Sequence, residues 1–524
     1  MAAISEPDPA VEAGGTRPET HKHIRGSTVL FAGRLLSLGL NLATQVLIVR
    51  LLTKADYGAF AYALSFGPAI RMIISVGHQE VLTRFLALYE ERRDYDRLFG
   101  TIVMKLLTIV SAGLFFFVLV YALQDVLAGT AIDDPRAISL LLILIWLAPF
   151  EAIEYVCEAV FAVFARPRAI FFRKYLLTPG TRLVFVLGLL LVGGSVTAVA
   201  IGYVFAGLVG TVAYTTMAVR FFRKQGLLDH FRLRTIKMPF RDVLGFSIPM
   251  LSNDLVFISM TTFGVVLLGA FASAVDIANY RAIFPVARLN LLVFTTFGLL
   301  FTPLAARLFE RNDRAGMANA YWHTAVWLAV FSFPLLALTG PMAEATTVLL
   351  FGERYQDAAV LLGILSVGFY FNAALGYNTM TLMTHGQLGF VVRVNVAAVV
   401  VSIGLSLAAI PHYGAIGIVV ANAATLVVQN ILNQVGLRRR IGIPLFEARY
   451  VRAYGVITAV AVALGAIQIG LHPTPLVGVA CAAAGTALVF RLNRETLEIE
   501  KTFPEVLRVP GVRRILASTG ATRQ

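Results

Sequence analysis

The sequence predicts an all-α protein that crosses a membrane about fourteen times. Of its 524 residues, 58% are hydrophobic and only 14% are charged, whereas soluble domains average about 45–50% apolar and about 25% charged residues. Apolar stretches of about 20 residues, the length that crosses a bilayer as a helix, recur from residue 28 to residue 492. They form two sets of six and a final pair.

Most predicted spans are bounded by charges or turn residues, as in "KADYG", "DDPR", "GGS", "PHYG" and "HPTP". The predicted spans are 28–49, 58–78, 99–123, 138–164, 169–192, 197–219, 243–269, 282–303, 317–340, 357–383, 387–410, 415–436, 454–470 and 474–490. The predicted regions are a disordered cytoplasmic tail (1–27), an N-terminal six-helix half (28–220), a basic cytoplasmic connector (221–242), a C-terminal six-helix half (243–440), two additional transmembrane helices (441–492) and a cytoplasmic tail (493–524).

Lysine and arginine are distributed unequally between the two sides of the predicted membrane. The loops, terminal segments and adjoining residues on one side of the membrane contain 34 lysines and arginines, and the loops on the other side contain 5. Since short cytoplasmic loops of membrane proteins are enriched in Lys and Arg, both termini are predicted to be cytoplasmic. The net charge of +14 reflects this bias, so no nucleic-acid partner is expected.

The chain also repeats with an offset of 220 residues. This offset aligns Asp56 in "ADYGAF" with Asp276 in "VDIANY", and Gly194 in "GGSVTAV" with Gly414 in "YGAIGIV". Each repeat holds six spans, and an even number gives both halves the same orientation. We therefore expect a pseudo-two-fold axis along the membrane normal. The connector "RFFRKQGLLDHFRLRTIKMPFR" is basic and amphipathic, and is predicted to lie on the inner membrane surface.

Three glutamates interrupt the apolar run "APFEAIEYVCEAVF". At about 3.6 residues per turn, Glu151, Glu154 and Glu158 lie on one face of a helix. A charged side chain that faces lipid at the bilayer centre costs at least about 2.5–3.5 kcal/mol, so the charged residues within the spans should face an interior. The charged residues that we consider are Arg34, Arg71, Arg182, Arg288, Glu151, Glu154, Glu158 and Asp254, together with Lys105, which is close enough to the end of its span to reach the membrane surface.

Two interpretations of these charges stay open. The arginines could neutralise the carboxylates and fix the packing of the helices. Alternatively, Arg34, Arg71, Arg182 and Arg288 could line a hydrated cavity and present planar donor forks to a diphosphate. The glutamate face would then be a counter-charge, a proton or sodium relay, or a substrate contact.

Other chemistry has little support in the sequence. No "GxxxxGK[ST]" motif occurs and the eight histidines have no metal-ligand spacing, so no cofactor, metal or catalytic residue is predicted. A membrane glycan polymerase or ligase is disfavoured because the longest outer connections, 124–137 and 341–356, are too short to enclose a site. The chain is therefore expected not to be an enzyme.

Four stretches carry a resemblance to a known family. They are "RLLTKADYGAFAYALSF" after the first span, "SIPMLSN" opening the seventh, "GAFASAVDIANYRAIFPV" between the seventh and eighth, and "LFGERYQDAAVLLGIL" entering the tenth. In this order and spacing, the sequence from about residue 28 to residue 440 resembles the polysaccharide-transport flippases. These belong to the superfamily of multidrug, oligosaccharidyl-lipid and polysaccharide exporters.

The resemblance implies a function at the bacterial inner membrane. Such a protein would turn an undecaprenyl-diphosphate-linked oligosaccharide to the periplasmic leaflet by alternating access, for lipopolysaccharide or exopolysaccharide assembly. Flippases of this kind use cationic side chains in the first and eighth spans, which Arg34 and Arg288 match in kind. Membrane lipids and proteins of polysaccharide polymerisation or export would be the partners. An ion-coupled small-molecule or multidrug antiporter of the same superfamily is the alternative, although four intramembrane arginines suit an anionic substrate better.

Overall fold

The structure is a computed structural model that describes residues 17–75, 79–124, 135–232, 234–243 and 255–497. Within these ranges every regular element is a helix. The predicted all-α membrane class is confirmed, since eleven helical runs of the described chain are long and apolar enough to span a bilayer.

The helices up to the connector include six runs of membrane-spanning length. The individual helices in this part of the chain are α1 (Arg17–Leu51), α2 (Lys54–Ser75), α3 (Gln79–Glu91), α4 (Tyr95–Ala122), α5 (Pro135–Leu144), α6 (Leu147–Val163), α7 (Pro167–Ile170), α8 (Thr178–Val192) and α9 (Val196–Lys224). A π-helical segment, Phe171–Leu177, joins α7 to α8. The first described helix begins at Arg17, within the segment 1–27 that we predicted as a disordered tail. Pro18 is compatible with this start because the first N–H groups of a helix have no acceptor within it.

Ten further α-helices follow the connector in the described part of the chain. A second π-helical segment, Ser259–Phe263, precedes the first of them. They are α10 (Gly264–Phe271), α11 (Ala274–Arg288), α12 (Leu292–Glu310), α13 (Arg314–Thr339), α14 (Ala343–Phe351), α15 (Ala358–Ala374), α16 (Asn378–Thr384), α17 (Leu388–Arg440), α18 (Val451–Leu471) and α19 (Pro475–Leu497).

The helices of the second half break within or between some of the predicted spans. The predicted spans 387–410 and 415–436 correspond to the two parts of α17 that meet at Gly414. Gly414 breaks this helix with φ 51° and ψ −125°, a left-handed conformation that glycine adopts readily. The predicted span 282–303 is divided between α11 and α12. Part of the span 243–269 lies outside the described residues, so the number fourteen and the pseudo-two-fold axis stay predictions.

The connector packs against the start of α4. Thr235 Oγ1 donates to Asp96 Oδ1 at 2.7 Å, and the Lys237 N–H donates to the Asp96 carbonyl at 3.3 Å. A Cβ at Gly100 would lie 2.0 Å from the Lys237 carbonyl oxygen, so the close approach requires glycine. This contact ties the connector to the first half.

The two halves meet mainly where α1 and α2 pack against α10, α11 and α14. At the start of α2, a Cβ on Gly58 would lie 1.9 Å from the Ala274 carbonyl oxygen, so glycine permits the backbones to touch. Hydrogen bonds from α1 to the second half begin at Gln45. Arg34, about 16 Å earlier on that helix, has an exposed side chain. The described hydrogen bonds of α1 to the second half therefore lie toward its C-terminal end, and we interpret the exposed region around Arg34, toward the other end, as an opening between the halves.

Helices α18 and α19 pack on each other and on α13 and α14. Their outward faces are apolar: Ile469, Leu471 and Leu476 are each at least 75% exposed. Such exposure is expected of side chains that face lipid, because hydrocarbon is their ordinary surroundings there. The last two predicted spans thus extend the second half alone.

Candidate functional site

The three glutamates of α6 line a cavity of about 170 Å³ in the first half. Four cationic side chains from α2, α8 and the adjacent π-helical segment line it too. The lining residues are Asn41, Arg71, Glu151, Glu154, Tyr155, Glu158, Arg173, Lys174, Thr178, Pro179 and Arg182. This arrangement agrees with the prediction that Glu151, Glu154 and Glu158 share one face of a helix. We call these three glutamates, together with Arg71, Arg173, Lys174 and Arg182, the charge cluster.

Glu151 binds two arginines from different helices. Arg71 of α2 donates from Nη1 to Glu151 Oε2, and Arg182 Nη2 of α8 lies 3.8 Å from Glu151 Oε1. Both side chains of the Arg71 pair are about 30% exposed, so this pair is only partly buried. One carboxylate therefore connects α2, α6 and α8 at the cavity wall.

Glu154 forms the most buried ion pair of the cluster. It contacts Arg173 Nη2, and the exposed fractions of the two side chains are 5% for Arg173 and 9% for Glu154. Thr211 of α9 adds a hydrogen bond from Oγ1 to Glu154 Oε1 at 3.4 Å. Beside them, a Cβ on Gly210 would lie 2.5 Å from Thr178 Oγ1 and 2.9 Å from Glu154 Oε1. The missing side chain at Gly210 is what leaves room for the pair.

Glu158 accepts a hydrogen bond of 2.6 Å from Lys174 Nζ. Lys174 follows Arg173 in the π-helical segment, and these consecutive residues reach Glu158 and Glu154, one helical turn apart on α6. Segments with the wider π turn occur often at functional sites. Here the segment directs two neighbouring cations to the same face of α6.

Each cation of the cluster also lies near a tyrosine ring. The distances from the cationic centre to the ring centroid are 4.8 Å for Arg182 and Tyr203 and 5.2 Å for Arg173 and Tyr214. Such contacts favour a cation within about 6 Å of the ring face. Arg173 Nε and Arg182 Nε are buried and have no hydrogen-bond partner among the described residues. The cluster thus retains two buried donors that no described group accepts from.

Arg34 and Arg288 form a different arrangement at the opening between the halves. Both side chains are exposed, and their positive charges interact electrostatically with each other. The Arg288 guanidinium lies 4.5 Å from the centroid of the Phe257 ring. Within the described part of the chain neither arginine forms an ion pair. Asp254, which we predicted as a candidate for counter-charge or coupling, lies outside the described residues.

The structure therefore divides the predicted site residues between two places. Arg71, Arg182 and the three glutamates lie in the charge cluster, and Arg34 and Arg288 lie at the opening. The sequence-based prediction missed Arg173 and Lys174 because we counted them among the basic residues that flank a cytoplasmic connection. Their place inside the predicted span 169–192 was the signal that could have identified them.

Residues 23–309, more than half of the chain, match the family described as polysaccharide biosynthesis protein. The chain belongs to this family. This match confirms the family resemblance that we predicted from the sequence. No curated protein matches the chain.

Solved transporter structures share the fold of this chain. The lipid II flippase MurJ in an inward closed conformation superposes with a TM-score of 0.66 at 13% identity, over 90% of this chain and 99% of that chain. An inward-facing multidrug resistance MATE family transporter of the MOP superfamily gives a TM-score of 0.62 at 14% identity, over 78% and 94%. An outward-facing MATE family transporter gives 0.51 at 16% identity, over 82% and 96%. At these identities the likeness concerns the fold alone.

Proposed function

We propose that the protein moves a polyprenyl-diphosphate-linked oligosaccharide across the bacterial inner membrane by alternating access, for surface polysaccharide biosynthesis. Membership of the polysaccharide biosynthesis family and the transporter fold support this proposal. The observation that carries it is the pair of exposed guanidinium groups of Arg34 and Arg288, one from each half, at the opening between the halves.

Two like charges in this position repel each other unless an anion lies between them. A diphosphate would supply that anion, since guanidinium forks bind phosphate oxygens through two parallel hydrogen bonds. Because the arginines belong to different halves, a bound diphosphate would also link the halves. The polyprenyl tail would stay in the lipid while the headgroup crosses.

The charge cluster supports a different role for Arg71 and Arg182. Both lie beside Glu151, so their charge is compensated without a ligand. We therefore assign the diphosphate to Arg34 and Arg288, and we assign Glu151, Glu154 and Glu158 the role of counter-charges. In this proposal both termini and the opening with Arg34 face the cytoplasm, and the substrate passes to proteins of polysaccharide polymerisation or export.

The test compares arginine with lysine, which keeps the charge but loses the donor fork. We expect Arg34→Lys and Arg288→Lys to weaken binding of undecaprenyl diphosphate to the protein in nanodiscs by about tenfold, equivalent to about 1.4 kcal/mol. Binding of undecaprenol, which has no phosphate, should not change. Export of lipid-linked glycan in cells, normalised to inserted protein, should fall in parallel.

Arg307→Lys is the matched control, because Arg307 is an exposed arginine in the last turn of α12. It should bind and export like the unmodified protein. Normal binding and normal export by both Arg34→Ala and Arg288→Ala would refute the assignment of the diphosphate.

A further inference from the structure

Two arginines join the halves at the end of the molecule away from Arg34. Arg50, at the end of α1, donates from Nε to the Leu350 carbonyl at 2.8 Å and from Nη2 to the Leu349 carbonyl at 2.7 Å. Arg354, which follows α14, donates from Nη2 to the Val49 carbonyl. We call Arg50, Arg354 and the three carbonyls that they bind the arginine latch.

The latch is reciprocal. Val49 lies in the last turn of α1, and Leu349 and Leu350 lie in the last turn of α14. Carbonyls in the last turn of a helix have no partner within it, and the helix dipole places partial negative charge there. Each half therefore supplies a helix end that is capped by an arginine of the other half.

Neighbouring contacts close the same end of the molecule. Gln45 Nε2 donates to the Arg281 carbonyl at 3.1 Å, and Lys54 Nζ lies 4.9 Å from the Tyr355 ring centroid. Beneath the latch, Thr262 Oγ1 donates to the Ser65 carbonyl at 2.7 Å, and Ser65 is 0% exposed. The interface between α2 and the second half is thus sealed below the arginines.

We propose that the arginine latch is a gate that holds the two halves together at this end and opens during each transport cycle. This inference rests on the proposed transport function. The exposed position of both arginines suits a gate, because water can replace the carbonyls when the halves separate. A buried ion pair in the same place would leave unpaired charges on opening and would resist it.

The test measures how often the interface beneath the latch opens. Ser65 is changed to cysteine in a chain whose Cys157 and Cys481 are replaced by alanine, and its reaction with a maleimide is timed in nanodiscs. We expect Arg50→Gln combined with Arg354→Gln to accelerate this reaction by about tenfold, because the reaction rate follows the population of the open state. Arg50→Lys, which keeps the charge but loses the fork, should give a smaller increase.

Two controls separate gating from general loosening. Arg136→Gln removes an ion pair of 2.7 Å with Asp56 at the same end, but within the first half, and should leave the Ser65→Cys rate unchanged. A cysteine at Ala200, which is 0% exposed inside the first half, should react equally slowly with and without the latch.

Equal Ser65→Cys rates with and without the latch would overturn the gate, as would an acceleration that Ala200→Cys shares. These rates need no substrate. A latch effect in a protein that fails to bind undecaprenyl diphosphate would therefore contradict the proposed substrate and leave the gate intact, whereas normal binding without a latch effect would contradict the gate alone.

Discussion

At two positions the second half has asparagines where the 220-residue offset aligns a glycine and a glutamate of the first half. Asn430, which the 220-residue offset aligns with Gly210, donates to Asn372 Oδ1 and accepts from Asn378 Nδ2, each at 2.9 Å. Asn378 aligns with Glu158 by the same offset. Asn430 thus forms hydrogen bonds through its own side chain. At the aligned position the first half has Gly210, which has no side chain and lies beside the ion pair of Glu154 and Arg173.

This difference shows which polar groups are sufficient for helix packing and which groups are present in the first half in addition. A buried, uncharged amide network joins α15, α16 and α17, so close packing of such helices does not require carboxylates or arginines. Ionisable groups within a membrane are costly and usually have a functional role. The charge cluster is therefore an addition of the first half that helix packing of this kind does not require.

Removing a charge from the most buried pair should have the largest effect on stability. Arg173→Ala leaves Glu154 buried and unpaired, which we expect to lower the free energy of unfolding by about 3–5 kcal/mol. Adding Glu154→Gln should recover most of this loss, because the unpaired charge is then absent. Thermal unfolding of the purified variants in detergent measures both. If the double variant were no more stable than Arg173→Ala, the unpaired carboxylate would not be the cause.

A side chain at Gly210 should disturb the cluster without removing any charge. We expect Gly210→Ala to cost about 1–3 kcal/mol, the usual range for overpacking, because its Cβ would collide with Thr178 and Glu154. Gly188→Ala is the matched control, since nothing lies within 4 Å of its Cβ position in α8. That variant should be neutral or stabilising, because alanine has a higher helix propensity than glycine. Equal effects of the two substitutions would contradict the steric explanation.

The amide network should show the smallest effect. Asn430→Ala removes hydrogen bonds between helices, and such bonds are worth about 0.6–1.7 kcal/mol within membranes. Asn493→Ala is the control, because Asn493 donates to the Val489 carbonyl of its own helix α19. Thermal unfolding should show a larger decrease for Asn430→Ala than for Asn493→Ala. A loss as large as that of Arg173→Ala would show that the two halves do not differ as we describe.

Hydrophobicity alone determined the class of fold. A stretch of about 20 apolar residues has to satisfy its backbone hydrogen bonds internally within lipid, which requires a helix, and the described residues of these stretches are mainly helical. Boundaries were less predictable. A break such as Gly414 changes the direction of the chain through one residue's backbone angles, and the hydropathy on either side of it barely differs.

The common face of Glu151, Glu154 and Glu158 also followed from the sequence, because helical periodicity is a local property. Their partners did not. Arg173 and Lys174 look in the sequence like two more basic residues beside a cytoplasmic connection, and the π-helical segment with the space at Gly210 brings them to the glutamates. Arg34 and Arg288, in contrast, lack carboxylate partners within the described chain. An ion pair depends on distances of a few ångströms between different helices, and only the tertiary structure sets those distances.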